Sequence, residues 1–206
     1  MSRSLFVHFL PDLLEPSDLS GHTAVVIDVL RASSTIATAV AAGVRQIIPC
    51  QTVDQAFQIR QEQQAGDASL VLLGGERGGM KIDGFDLSNS PQDYTAARVA
   101  NRTIAFTTTN GTRAMSHCVA ARRILVGAFV NLHAVCEELV AGNDDVHLVC
   151  AGTDGKPTAE DILFAGAVCD CLLAPEDADH DWNLSDSARI ACLSWRQAAG
   201  IPEAGI

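Results

Sequence analysis

The chain has 206 residues, 48% of them hydrophobic, which suits one α/β domain with a sizeable core. Fourteen Lys and Arg stand against 25 Asp and Glu, a formal net charge of −11. That balance argues against nucleic acid, which rewards clustered cations, and against an anionic membrane surface. Taken alone, it also argues against a phosphorylated or sulfonated small substrate.

In chain order, the apolar run from Leu5 to Leu10 is ended by Pro11 and Asp12. It is too short for a signal-peptide core, and no window approaches the apolar length of a membrane span. Residues 23–29 (TAVVIDV) predict a strand buried on both faces. Residues 33–42 predict a helix stopped at Gly43, residues 45–49 a strand, and residues 53–64 an amphipathic surface helix. Residues 69–73 predict a strand, followed by a glycine-rich loop, Gly74–Gly79, and a long loop to Pro91. Pro91 fits the first turn of a helix running to about residue 100.

The alternation continues with strands at 103–107, 124–126 and 146–150. Helices are expected at 113–120, 132–140 and from about 159 to 173. Residues 175–186 are acidic and turn-rich and read as a surface loop before a last helix at 187–199. This alternation predicts an α/β fold around a mostly parallel sheet, in a single domain spanning 1–206. The seven cysteines are odd in number, lack Cys-x-x-Cys spacing and sit mostly in apolar runs. They read as buried thiols of a reducing cytosol, so the expected location is cytoplasmic. The six histidines show no metal spacing.

In an open parallel sheet, ligands bind outside the carboxyl ends of the strands. Four polar loops fall there: 28–35, 74–79, 107–113 and 151–161. Ser33, Ser34 and Thr112 can cap helices and present backbone N–H groups to an anion. Arg31, Arg77, Arg113 and Lys156 supply positive charge, and Lys81 lies just beyond one loop. Asp28, Glu76, Glu160 and Asp161 are carboxylates suited to a hard divalent cation. Asp28 closes a fully apolar strand, which is costly without a partner. Thr107-Thr108-Thr109-Asn110-Gly111-Thr112 after a strand reads as a ligand loop. The glycine loop matches neither a dinucleotide fingerprint nor a Walker motif.

These loops carry a resemblance. The stretches Val26-Ile27-Asp28-Val29-Leu30-Arg31-Ala32 with Ser33-Ser34-Thr35-Ile36, Leu73-Gly74-Gly75-Glu76-Arg77, Gly84 through Pro91, and Thr107 through Ala114 are similar to motifs of the 2-phosphosulfolactate phosphatase family. Weaker matches lie at 127–131 and 152–166, and the match fades after about Gly166. The resemblance implies a Mg²⁺-dependent phosphatase. Its reaction converts 2-phospho-3-sulfolactate to 3-sulfolactate and phosphate, on the way to coenzyme M. Asp28, Arg31, Glu76, Arg77, Asp86, Asn89, Ser90, Asn110, Thr112, Arg113 and Asp161 occupy motif positions.

The roles expected of these residues are as follows. Asp28, Glu76 and Asp161 hold the metal, while Arg31, Arg77 and Arg113 clamp phosphate and sulfonate. The loop from Thr109 and Asn110 through Gly111 and Thr112, the helix start at Ser33, Ser34 and Thr35, and Asn89 with Ser90 bind substrate. Leu30, two residues after Asp28, leaves no Asp-x-Asp pair, which favours direct water attack over an aspartyl-phosphate. Two other readings use the same loops: a phosphatase for a different small 2-phospho acid, and a non-catalytic binder of small dianions. A homo-oligomer also fits so apolar a small domain.

Overall fold

The computed structural model describes residues 2–67, 71–173 and 182–201. The elements run β1 (Arg3–His8), β2 (Thr23–Ile27), α1 (Ala32–Ala41), β3 (Gln46–Pro49), α2 (Val53–Asp67), β4 (Val71–Arg77), β5 (Met80–Lys81), α3 (Ala96–Val99), β6 (Thr103–Thr107), α4 (Gly111–His117), β7 (Arg123–Gly127), α5 (Leu132–Ala141), β8 (Val146–Cys150), α6 (Ala159–Leu173), β9 (Trp182–Leu184) and α7 (Asp186–Ala199). The architecture is α/β, and the strands are mostly parallel. They divide between two sheets, however, where one was expected. The larger sheet has the order β7-β2-β8-β1-β9, and its pairings are parallel throughout. The smaller has the order β3-β6-β4-β5, parallel except for the β4–β5 hairpin.

Burial explains the division. In β2, Val25 and Ile27 face one core, shared with α5, α6 and α7. Ala24 and Val26 face a second core that holds Ala32, Ile36 and Ala39 of α1, Ala114 and Met115 of α4, and Ile104 and Phe106 of β6. Ala105 of β6 turns to a third core with Leu73 and with Ala56 of α2. Strands β2 and β6 are therefore buried on two faces, as their largely apolar runs require. The small side chains of α1 and α4 fill the space between the sheets. The chain crosses from the larger sheet to the smaller through α1 and returns after α4.

Four details differ from expectation. Residues 3–8 form β1, next to the centre of the larger sheet, although their apolar run was read only for what it excludes as a leader. The segment 175–186, expected as a surface loop, lies partly outside the described residues, and its last part supplies edge strand β9. The Gly74–Arg77 stretch, expected in a loop, continues β4. Gly78 and Gly79 then turn the chain with positive φ values of 57° and 77° into β5, a two-residue hairpin turn that favours glycine at both positions. The helix expected from Pro91 is broken into a 3-10 turn, Pro91–Asp93, and the single turn of α3. No helix among the described residues is long and apolar enough to cross a membrane.

All seven cysteines are free, and six are buried. Three histidines form a ladder across one face of the larger sheet. His147 Nδ1 lies 3.0 Å from His8 Nε2, and its Nε2 lies 3.0 Å from His22 Nδ1. Burial, reinforced by His8 and His22 and opposed by Asp145 and Asp18, pushes the His147 imidazole down to about 4 from 6.5. A histidine held neutral in the fold contributes stability that is complete above 6.5 and is lost as the pH falls toward 4, because the unfolded chain then binds the extra proton. The stability advantage of the protein over its His147→Asn variant is therefore expected to shrink as the pH is lowered through this window, as measured by denaturant unfolding at each pH.

Candidate active site

The loops after β2, β4, β6 and β8 converge, although they come from two sheets. Between them lies a cavity of about 330 Å³ whose lining includes Asp28, Arg31, Glu76, Asn89, Thr109 and Asn110, with Leu30, Gly78, Gly79, Thr153 and Asp154. Asp28 follows β2 and is 8% exposed. Its Oδ1 accepts the Ala32 N–H at 3.1 Å, and its own N–H donates to Ser33 Oγ at 2.9 Å. Burial, then the charge of Asp161, raises the Asp28 carboxyl to about 7. The Ala32 N–H acts against this, and Glu76 and Glu160 add to it.

Glu76, at the end of β4 and 7% exposed, is aimed by two backbone donors. The Thr109 N–H reaches its Oε1 and the Gly79 N–H its Oε2, both at 2.7 Å. The hairpin turn after β4 and the loop after β6 thus position one carboxylate. That second loop is itself locked. The Thr108 and Thr112 N–H groups donate to each other's hydroxyls, and Thr112 Oγ1 donates to the Thr108 carbonyl at 2.6 Å.

Gly111 makes the convergence possible. A Cβ there would lie 2.6 Å from the Ala32 Cβ and 2.8 Å from Asp28 Oδ2. Only a residue without a side chain lets the start of α4 close on the start of α1 and on the carboxylate between them.

The structure sorts the remaining expected site residues. Asn89 lines the cavity at 5% exposure, and its Oδ1 is buried with no hydrogen-bond partner among the described residues. Its carbonyl is held by Thr35 Oγ1 at 3.4 Å. Arg31 is exposed at the cavity, and its guanidinium has no ion pair among the described residues. Asn110 Oδ1 accepts the Asp154 N–H at 3.4 Å, which ties the β6 loop to the β8 loop.

Other expected residues stand apart from the cavity wall. Asp161 is 3% exposed and lies behind it, where its two oxygens accept the N–H groups of Val29 at 2.9 Å and Gly152 at 3.1 Å. This is a brace joining the β2 and β8 loops, and it differs from the metal-ligand role expected of Asp161. Ser33 and Ser34 donate to the carbonyls of Val26 and Val29, so they too brace the strand end instead of facing a ligand. Ser90 precedes the 3-10 turn and is absent from the lining. Asp86 is committed to Arg60 and to the Leu73 N–H. Arg77, Thr112 and Arg113 line a neighbouring depression of about 300 Å³ that shares Thr109 with the cavity.

Sequence reasoning missed Thr153 and Asp154 individually, though it placed their loop at the site. Asp154 has the positive φ of 50° typical of a tight turn, and the flanking glycines signal that turn.

Among the described residues no group of three or more His, Cys, Asp or Glu is placed to hold a metal ion, so the donors available to a cation at the cavity are fewer and mixed in kind. Two buried carboxylates and an amide oxygen with no partner offer oxygen ligands only, the preference of Mg²⁺. A buried orphan acceptor costs about 1–3 kcal/mol, which a ligand there would offset.

Two stability measurements check this geometry. Gly111→Ala is expected to cost about 1–3 kcal/mol in denaturant unfolding, because the added methyl overpacks the α1–α4 contact. Asp28 keeps its proton in the fold up to about 7, against 3.8 in the unfolded chain, so its contribution to stability falls as the pH rises between those values. Asp28→Asn, a neutral isostere, is therefore expected to raise the melting temperature of the metal-free protein, and by more at pH 8 than at pH 4.

Comparison with known proteins agrees with the motifs. A model of the family described as 2-phosphosulpholactate phosphatase matches residues 8–204, well past Gly166 where the motif resemblance fades. A probable 2-phosphosulfolactate phosphatase of Caldanaerobacter subterraneus subsp. tengcongensis is 43% identical over 164 residues, covering 80% of this chain and 67% of that protein. One from Clostridium beijerinckii is 36% identical over 190 residues, covering 92% of this chain and 77% of that protein. One from Clostridium acetobutylicum is 41% identical over 180 residues, covering 87% and 74%. With the family model spanning most of its length and relatives this similar, the chain belongs to the 2-phosphosulpholactate phosphatase family.

Proposed function

We propose that the protein is a Mg²⁺-dependent phosphatase that hydrolyses 2-phospho-3-sulfolactate to 3-sulfolactate and phosphate. The observation that carries this reading is the meeting of Asp28, Glu76 and Asn89, whose buried Oδ1 has no hydrogen-bond partner among the described residues, at one cavity with Arg31, which has no ion pair among them. Membership of the family supports the reaction class and the substrate.

Asp28, Glu76 and Asn89 would hold the cation. When bound, Mg²⁺ supplies charge that neutralises phosphate oxygens and makes an attacking water more acidic. Each protein group has its own part. Glu76 is pre-oriented by the Thr109 and Gly79 N–H groups, so its carboxylate need not reorganise when the ligand arrives. Asp28 loses its proton near neutral pH and keeps Oδ2 directed at the Gly111 backbone side of the cavity. Arg31 offers a guanidinium fork to phosphate oxygens, with no ion-pair partner among the described residues to displace first. The Thr109–Asn110 loop closes the cavity on the side of β6.

Among the described residues the cavity lining carries three carboxylates, Asp28, Glu76 and Asp154, and one guanidinium, that of Arg31. An anionic ester enters such a site only with added positive charge, which is the electrostatic reason for a divalent cation.

The test is phosphate release from 2-phospho-3-sulfolactate. Activity is expected with Mg²⁺, to be abolished by chelator and to return on adding Mg²⁺. Asp28→Asn is expected to reduce kcat by at least about 10²-fold. Full activity in chelator, or wild-type turnover by Asp28→Asn, would refute the mechanism. Faster turnover of another 2-phospho acid would refute the substrate while leaving the reaction class.

A further inference from the structure

The cavity is acidic apart from Arg31, whereas the depression beside it is basic. Among the described residues its lining includes Arg77, Arg113, Gln51, Thr112 and Ser116 and no carboxylate, and Thr109 is the wall the two spaces share. Strand alternation explains the separation. Glu76 and Arg77 are consecutive in β4, so their side chains leave on opposite sides, the acid into the cavity and the base into the depression.

The Arg77 guanidinium is fixed in place. Its Nη1 donates to the Glu76 carbonyl at 2.8 Å, and its Nη2 donates to Thr107 Oγ1 at 2.7 Å and to the Gln51 carbonyl at 3.2 Å. These partners are neutral oxygens, and Arg77 has no ion pair among the described residues. Arg113 holds Asp12 through Nη2 alone, at 2.7 and 2.6 Å to its two oxygens. Its Nη1 and Nε make no other bond among the described residues. Asp12 is not part of the lining, and His117 Nε2 lies 3.8 Å from its Oδ1.

We propose that this depression is a second binding site for a small oxyanion, with Arg77 as its rigid charge and Arg113 as the adjustable fork. Where the oxyanion is the substrate's own sulfonate, this deepens the function proposed above and rests on it. Where it is free phosphate or sulfate, the site stands independently of that reading. Guanidinium groups suit either, because a tetrahedral oxyanion accepts two parallel N–H bonds.

The experiment uses the full chain, inorganic sulfate as the probe and constant ionic strength, because bulk salt screens exposed charges. Sulfate binding is measured by calorimetry on metal-free protein. Arg113→Gln is expected to weaken it by about tenfold, the effect of removing a hydrogen bond to a charged group. Asp12→Asn, which frees Arg113, is expected to tighten it. Unchanged sulfate binding in both variants overturns the proposal.

The source of the oxyanion is read from kcat/KM on 2-phospho-3-sulfolactate and on 2-phospholactate, which lacks the sulfonate. If the sulfonate occupies the depression, Arg113→Gln loses about tenfold more on the first ester than on the second, mainly through KM. If a free oxyanion occupies it, Arg113→Gln keeps the wild-type substrate preference while sulfate binding falls. If the wild type hydrolyses neither ester yet Arg113→Gln still loses sulfate, the proposed function fails and the second site stands.

Discussion

The close approach of α1 and α4 at Gly111 is the constraint on which the site depends. The two helices carry the chain between the sheets, and their first turns meet with Asp28 between them. The carboxylate takes the Ala32 N–H on one side and lies against the Gly111 backbone on the other. Every other contribution is referred to this contact. Glu76 is aimed by Thr109, two residues before Gly111, and Asn89 is held by Thr35 in the first turn of α1. Asp161 ties the β8 loop to Val29, the residue after Asp28. One short distance between two helix starts thus positions groups from four strand ends.

The site is electrostatically expensive in isolation. Asp28 and Glu76 are nearly buried, and Asp161 stands close enough behind to raise the Asp28 carboxyl. Backbone N–H groups and loop geometry hold these acids without cancelling their charge. Such an arrangement stores unfavourable energy at the site, a common trade between stability and function. It also resolves the opening difficulty of a chain with net charge −11 and an anionic substrate. Net charge counts against polyanions, while the reception of a small ester is a local matter, and Arg31 stands at the cavity with Arg77 and Arg113 beside it.

Most elements were legible from local pattern. Strands 23–27 and 103–107 have continuous apolar centres, 146–150 is apolar apart from His147, and helices such as 132–141 show clear periodicity. The failures have physical causes. Gly74 and Gly75 suggested a loop because isolated glycine weakens a strand, yet β4 continues through them beside β6, where backbone pairing outweighs propensity. The Gly78-Gly79 hairpin was readable from its dipeptide alone. Strand β9 has three residues in an acidic stretch and exists because β1 offers a partner edge. The division into two sheets has no local signature, since parallel strands look alike whichever neighbour they pair with.

The residue types of the site followed from the sequence alone. Carboxylates, a ligand loop and arginines stand at strand ends, and the backbone period together with apolar burial places strand ends at one edge. Which of them meet was decided by tertiary structure. Asp28, Glu76, Asn89 and Arg31 share a cavity, Asp161 becomes a brace, and Arg77 and Arg113 fall into a separate basic depression. Side-chain direction at a strand end depends on register and on which backbone donors lie opposite. Those are set by packing between distant segments, which the identity of neighbouring residues does not encode.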